Sequence, residues 1–139
     1  MCRYRFAQQT SPAAPRPAAP AATPEPGEFA ERWIAAWNAR DIAAVVANYC
    51  DDVVFTSPTA ARFVPESGGT IRGKDALRAY WDVALEANSD LHFELVAVYG
   101  GVDTLVLQYR NQIGGLVSEV LTFRNGLVSV GHATPLEIG

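Results

Sequence analysis

LHFELVAVYGGVDTLVLQYRNQIGGLVSEVLTFRNGLVSVGHAT, residues 91–134, alternates apolar and polar side chains and is broken at Gly100-Gly101, Gly114-Gly115 and Asn125-Gly126. A period of two predicts strands over 91–99, 103–111, 115–124 and 127–134. The Asn-Gly pair favours a tight hairpin, because both central residues of that turn take positive φ. The stretch therefore reads as a four-strand antiparallel meander. On the third strand, Glu119 shares a face with Leu121 and Phe123, while Val120 and Thr122 share the other. A carboxylate in register with Leu and Phe needs either a sheet edge or a polar recess.

The chain before the meander has helical spacing. Phe29, Trp33 and Trp37 recur every four residues, with Ile34 beside them, in a helix read from Glu28. Asn38-Ala39-Arg40 breaks it. Asp41 is placed to cap a second helix, with Ile42, Val45, Val46 and Tyr49 as its apolar positions and Asp51-Asp52 as its end. Val53–Thr56 reads as a short strand stopped by Ser57-Pro58, and 57–70 as a long polar connection. Gly73 precedes a third helix from about Lys74 to Asn88, burying Leu77, Tyr80, Trp81, Ala84 and Leu85. Three helices packed on one side of a curved, mainly antiparallel sheet make an α+β fold that can enclose a cavity.

Of the 139 residues, 49 % are apolar and 19 % charged, with a net charge of −4, but these features are unevenly spread. Six of the nine prolines lie between Pro12 and Pro26, so 1–27 reads as a disordered Pro/Ala-rich tail and 28–139 as the domain. The tail nets +2, leaving the domain at −6. Without a basic stripe the domain offers little to phosphates, which argues against nucleic-acid binding.

No apolar run approaches a membrane span. MCRYRFAQQ lacks the apolar segment of a signal peptide. Cys2 and Cys50 read as free thiols of a reducing, cytoplasmic compartment. HExxH, CxxC, GxGxxG, P-loop and nucleophile-elbow patterns are all missing from the sequence. The expectation is that neither a metal nor a cofactor is used.

Three segments, Trp33-Ile-Ala-Ala-Trp-Asn-Ala-Arg-Asp41, Tyr49-Cys-Asp-Asp-Val-Val-Phe55 and Ile71-Arg-Gly-Lys-Asp-Ala-Leu77, resemble the nuclear-transport-factor-2-like superfamily, closest to its bacterial SnoaL-like branch. The resemblance spans Glu28 to Ala133. It implies a cone-shaped roll of bent sheet against three helices, a pocket at the wide end, and homodimers packed through the outer face of the sheet. Functions in the superfamily run from isomerases, cyclases and dehydratases to non-catalytic binding, so fold alone does not choose among them. Compared with the steroid-isomerase branch, the general-base aspartate falls on Ser57, the hydrogen-bonding tyrosine on Trp33 and the protonated aspartate on Glu119. A serine and an indole cannot replace the first two in kind, which argues against steroid isomerisation.

Glu119, Tyr109 and His132 are the candidate catalytic residues: a carboxyl, a phenol and an imidazole phased toward one apolar interior. Tyr109 shares its face with Leu105, Leu107 and Asn111, and His132 is read on the face of Val128 and Val130. Trp33, Trp37, Phe55, Trp81, Asn111, Leu121 and Phe123 are the candidate pocket walls. His92 is read as facing outward with Glu94. Arg72 and Lys74, flanking Gly73, are read as surface charges, with a clamp on an anionic ligand as the alternative. Two functions stay open. One is a cofactor-independent acid–base enzyme of isomerase, cyclase or dehydratase type acting on a compact apolar carbonyl or hydroxyl compound. The other is a non-catalytic ligand-binding or dimeric interaction module.

Overall fold

The structure is a computed structural model and describes residues 22–139. Residues 1–21, most of the expected tail, lie outside the described residues. Helix α1 spans Pro26–Asn38, with the Glu25 carboxylate accepting from Glu28 N at 2.8 Å as its N-terminal cap.

Asp41 caps α2 (Ile42–Val46) as expected, its side chain accepting from Ala44 N. This helix is one turn shorter than its apolar spacing suggested. Tyr49, Asp51 and Asp52 instead open strand β1 (Tyr49–Thr56), with Tyr49 buried and the two aspartates exposed. The polar connection holds a short helix α3 (Pro58–Phe63), capped by the Ser57 hydroxyl accepting from Thr59 N, and a single 3-10 turn at Pro65–Ser67. Strand β2 (Thr70–Arg72) then pairs antiparallel with β1 and leads into α4 (Lys74–Ala87). There are thus four α-helices where three were expected.

The meander forms as β3 (Glu94–Gly100), β4 (Thr104–Arg110), β5 (Leu116–Arg124) and β6 (Leu127–Pro135). Asn125 and Gly126 both take positive φ, 53° and 81°, in the β5–β6 turn. The sheet order is β2-β1-β6-β5-β4-β3, and only β1 and β6 run parallel. Among the described residues no helix is long and apolar enough to cross a membrane.

Helix α1 fills the concave side of the sheet. Phe29 meets Phe123 edge-on at 5.3 Å, and Trp33 lies 5.6 Å from the Tyr109 ring. Where α1 ends, Asn38 ties it to the start of the meander: its Nδ2 donates to Phe93 O at 2.9 Å and its Oδ1 accepts from Phe93 N at 2.8 Å. Sequence reading saw Asn38 only as a helix breaker. Both backbone groups of Phe93 depend on this one side chain, and Phe93 in turn stacks on Tyr109 at 4.2 Å. Replacing Asn38 with Ala leaves a partly buried N–H and C=O without these partners. It should lower unfolding stability by about 1–3 kcal/mol, read from urea denaturation. Asn38→Asp keeps only the acceptor half and should fall between the two.

Candidate functional site

A cavity of about 360 Å³ opens between the concave face of the sheet and the helices. Its floor is Glu119. Cross-strand register places Leu107 on one side of it and Ala133 on the other. The carboxyl is 3 % exposed, and its Oε2 accepts a hydrogen bond from the Tyr109 hydroxyl at 2.9 Å. Tyr109, one strand away and 6 % exposed, is held by the Phe93 stack and by Trp33.

Burial decides the protonation of this pair. Removal from water pushes the Glu119 carboxyl up to about 8, with the Tyr109 hydrogen bond pulling the other way. Tyr109 is raised well above its ordinary value, first by burial and then by the neighbouring carboxyl charge. At neutral pH both groups therefore carry their protons. With Oε2 accepting from Tyr109, Oε1 is the oxygen left to face the cavity.

Trp33, Trp37, Phe55, Trp81 and Asn111 are among the residues that line the cavity. Asn111 has a local duty there: its Oδ1 accepts from Ile113 N and Gly115 N and shapes the β4–β5 turn. Leu121 and Phe123 share the concave face but are packed into the core beyond the cavity wall, at 0 % and 5 % exposure, so their assignment as walls is corrected.

His132 is also placed differently. The β5–β6 register slips between Thr122 and Phe123, so that Phe123 faces Val128 while Thr122 faces Val130. The additional residue, Ser129, resets the alternation. Val128 points into the core, whereas Val130 and His132 point to the convex face. There His132 Nδ1 sits 2.6 Å from Thr56 Oγ1 and opposite Val120. The three expected catalytic side chains therefore do not converge: Glu119 and Tyr109 do, and His132 lies behind the sheet. His92 is exposed just before β3, and Arg72 and Lys74 do not line the cavity.

The cavity gains residues that the sequence did not single out for it. Ser57 lines it from the cap of α3, Tyr80 from α4 and Arg62 from within α3. Gln112 and Ile113 come from the β4–β5 turn, and Leu91 and Phe93 from the entry to β3. The comparison that set Trp33 against a hydrogen-bonding tyrosine is modified as well. Trp33 Nε1 donates to the buried Tyr49 hydroxyl at 3.0 Å. The indole one turn later has no such partner. Trp37 Nε1, Gln112 Oε1 and Glu119 Oε1 are all buried, belong to cavity-lining residues, and have no hydrogen-bond partner among the described residues. Buried polar groups are normally satisfied, so these atoms describe the polar complement that a ligand would bring.

A family model for the SnoaL-like domain matches residues 30–130. A SnoaL-like protein of unknown function from Burkholderia thailandensis E264 is 36 % identical, with 80 % of this chain and 94 % of that one covered and a TM-score of 0.74. A candidate polyketide cyclase from Sinorhizobium meliloti shares the fold at 14 % identity and a TM-score of 0.64, covering 77 % of this chain and 94 % of that one. TerC, solved with polyporic acid, shares it at 15 % identity and 0.66, covering 81 % and 92 %. No curated protein sequence matches.

The raised Glu119 pKa has a stability consequence. Between the carboxyl's unfolded value, near 4.5, and about 8, the unfolded chain has released this proton and the folded chain keeps it. Rising pH therefore favours unfolding through that window, by about 1.4 kcal/mol per pH unit for one proton. Glu119→Gln removes the titration. The stability difference between wild type and variant should tilt toward the variant from pH 5 to 8 and level off above. A difference that is flat with pH would show that Glu119 is not held neutral.

Proposed function

The chain belongs to the SnoaL-like family, and on that premise we propose that it binds a compact, largely apolar carbonyl or hydroxyl compound and moves a proton on it with Glu119. The observation that carries this reading is the floor of the cavity: a buried carboxyl, one oxygen held by Tyr109 and the other without a partner, titrating near the pH at which it would work. A proton carrier is most effective when its pKa lies close to operating pH. The acid form donates from Oε1 to a substrate oxygen. As the carboxylate develops, the Tyr109 hydroxyl already points at Oε2 and steadies the charge without rearrangement. Tyr109 is a positioning residue here, since its own proton is too tightly held to be exchanged.

The aromatic walls supply apolar contact, and about 360 Å³ suits a compact ligand at the low end of the usual range for ligand pockets of about 300–1,000 Å³. An isomerase, cyclase or dehydratase type of reaction needs only such proton movement. The occurrence of the same fold in a candidate polyketide cyclase is in keeping with it. A ligand screen by thermal shift should find carbonyl compounds that stabilise the protein. On a compound that is turned over, Glu119→Gln should lower kcat by about 10²-fold or more while leaving affinity within a few-fold. Unchanged turnover would remove Glu119 from the chemistry. Tight binding without turnover by the wild type would make the protein a binding module.

The same proposal includes a homodimer through the convex face. Register lines up Tyr99, Val106 and Val120 across three strands, with His132 and Thr56 continuing the row, and Tyr99 is 59 % exposed. Sedimentation of the full chain should give a dimer, and Val120→Arg, placing a charge in that row, should give a folded monomer. A monomeric wild type would overturn this arrangement.

A further inference from the structure

The cavity of this acidic protein carries a positive charge. The chain nets −4, yet among the described residues the only acidic side chain lining the cavity is Glu119, which is buried and holds its proton at neutral pH. Among the same residues Arg62 is the only basic side chain that lines it, and a guanidinium is charged at any working pH. Among the described residues Arg62 enters no ion pair; the one salt bridge there joins Arg124 to Asp52. Its guanidinium lies 5.8 Å from the Phe63 ring centroid. Burial raises the Tyr80 phenol overall, and the Arg62 charge is the least of the influences on it, pulling the other way. A second lining residue carries a buried donor: Trp37 Nε1, on a side chain 4 % exposed, without a partner among the described residues.

These observations extend the reading of the cavity as a ligand site to the class of ligand. We propose that the cavity takes a compact organic carboxylate carrying a second oxygen, with its anionic group against Arg62 at the mouth and its carbonyl or hydroxyl toward the buried Trp37 and Glu119. A neutral ligand would use the inner groups alone. A carboxylate uses both ends, and the mouth is where its charge keeps part of its water. A negative group deep in the cavity would instead lose its water without gaining a cation.

The test uses matched pairs: 4-acetylbenzoate with its methyl ester, and 4-oxocyclohexanecarboxylate with its methyl ester. Binding to the full chain is read from quenching of the three tryptophans, all of which line the cavity. The acids should bind about tenfold tighter than their esters at low salt, and the preference should shrink as salt is raised. Arg62→Gln should abolish the preference by weakening the acids to the level of their esters, and its thermal melting, read alongside, should show a cooperative transition as for the wild type. Esters binding as well as acids to the wild type, or a preference that survives in Arg62→Gln, would overturn the carboxylate assignment and leave the cavity reading standing. Binding of neither member of either pair would bring down both.

Discussion

A carboxyl group buried among tryptophan, phenylalanine and leucine side chains is the constraint around which this domain is organised. An ionised carboxylate there would cost several kcal/mol without a paired cation, and no cation reaches Glu119. Keeping the proton and accepting one hydrogen bond from Tyr109 is the solution adopted. That bond depends on the β4–β5 register, which sets Tyr109 and Glu119 on one face of adjacent strands. The Tyr109 ring depends on Phe93, and the backbone of Phe93 depends on Asn38 at the end of α1. The site is thus tied to the first helix by a side chain that touches no ligand.

How far this was legible in the sequence follows from which signals are local. Period-two alternation, paired turn residues and a capping Asp41 are decided by neighbours along the chain, and the meander, the start of α2 and the β5–β6 turn came out as expected. Glu119 could be singled out because an acidic residue in phase with Leu121 and Phe123 breaks an apolar pattern. Helix α3 and strand β2 were missed because six and three residues are too short for periodicity to show. The role of Asn38 was out of reach, since its partner lies 55 residues away.

His132 shows the same limit in a sharper form. Strict alternation from Val128 puts it inside, and a single bulged residue reverses that. A bulge leaves almost no trace in composition when the residue involved is an ordinary serine. Its consequence is large because side-chain direction has a period of two: every residue after Ser129 moves to the opposite face. The slip brings Gly131 and Ala133 to the concave side, Ala133 to line the cavity and Gly131 to pack in the core beside it. A Cβ at Gly131 would already meet Phe55 and Leu121 at 3.1 and 3.2 Å. It also sends the imidazole to the convex face. The bulge therefore clears space for a ligand and removes a base from it at once.

That removal narrows the chemistry the cavity can support. With the imidazole outside and the phenols held in their protonated forms, Glu119 is, among the described residues, the only lining group whose proton is exchangeable near neutrality. On the proposed reading, acid and base are then the same residue acting in sequence. Reactions that take a proton from one atom of a substrate and return it to another, or that deliver and recover one proton within a cycle, suit a single carboxyl. Concerted chemistry that needs an acid and a base at the same instant requires a second group with a pKa near 7, and none lines this cavity. The proposed sequential carrier is in keeping with Oε1 lacking a partner among the described residues while Oε2 has one. On that proposal one oxygen would hold the charge in place while the other exchanges the proton.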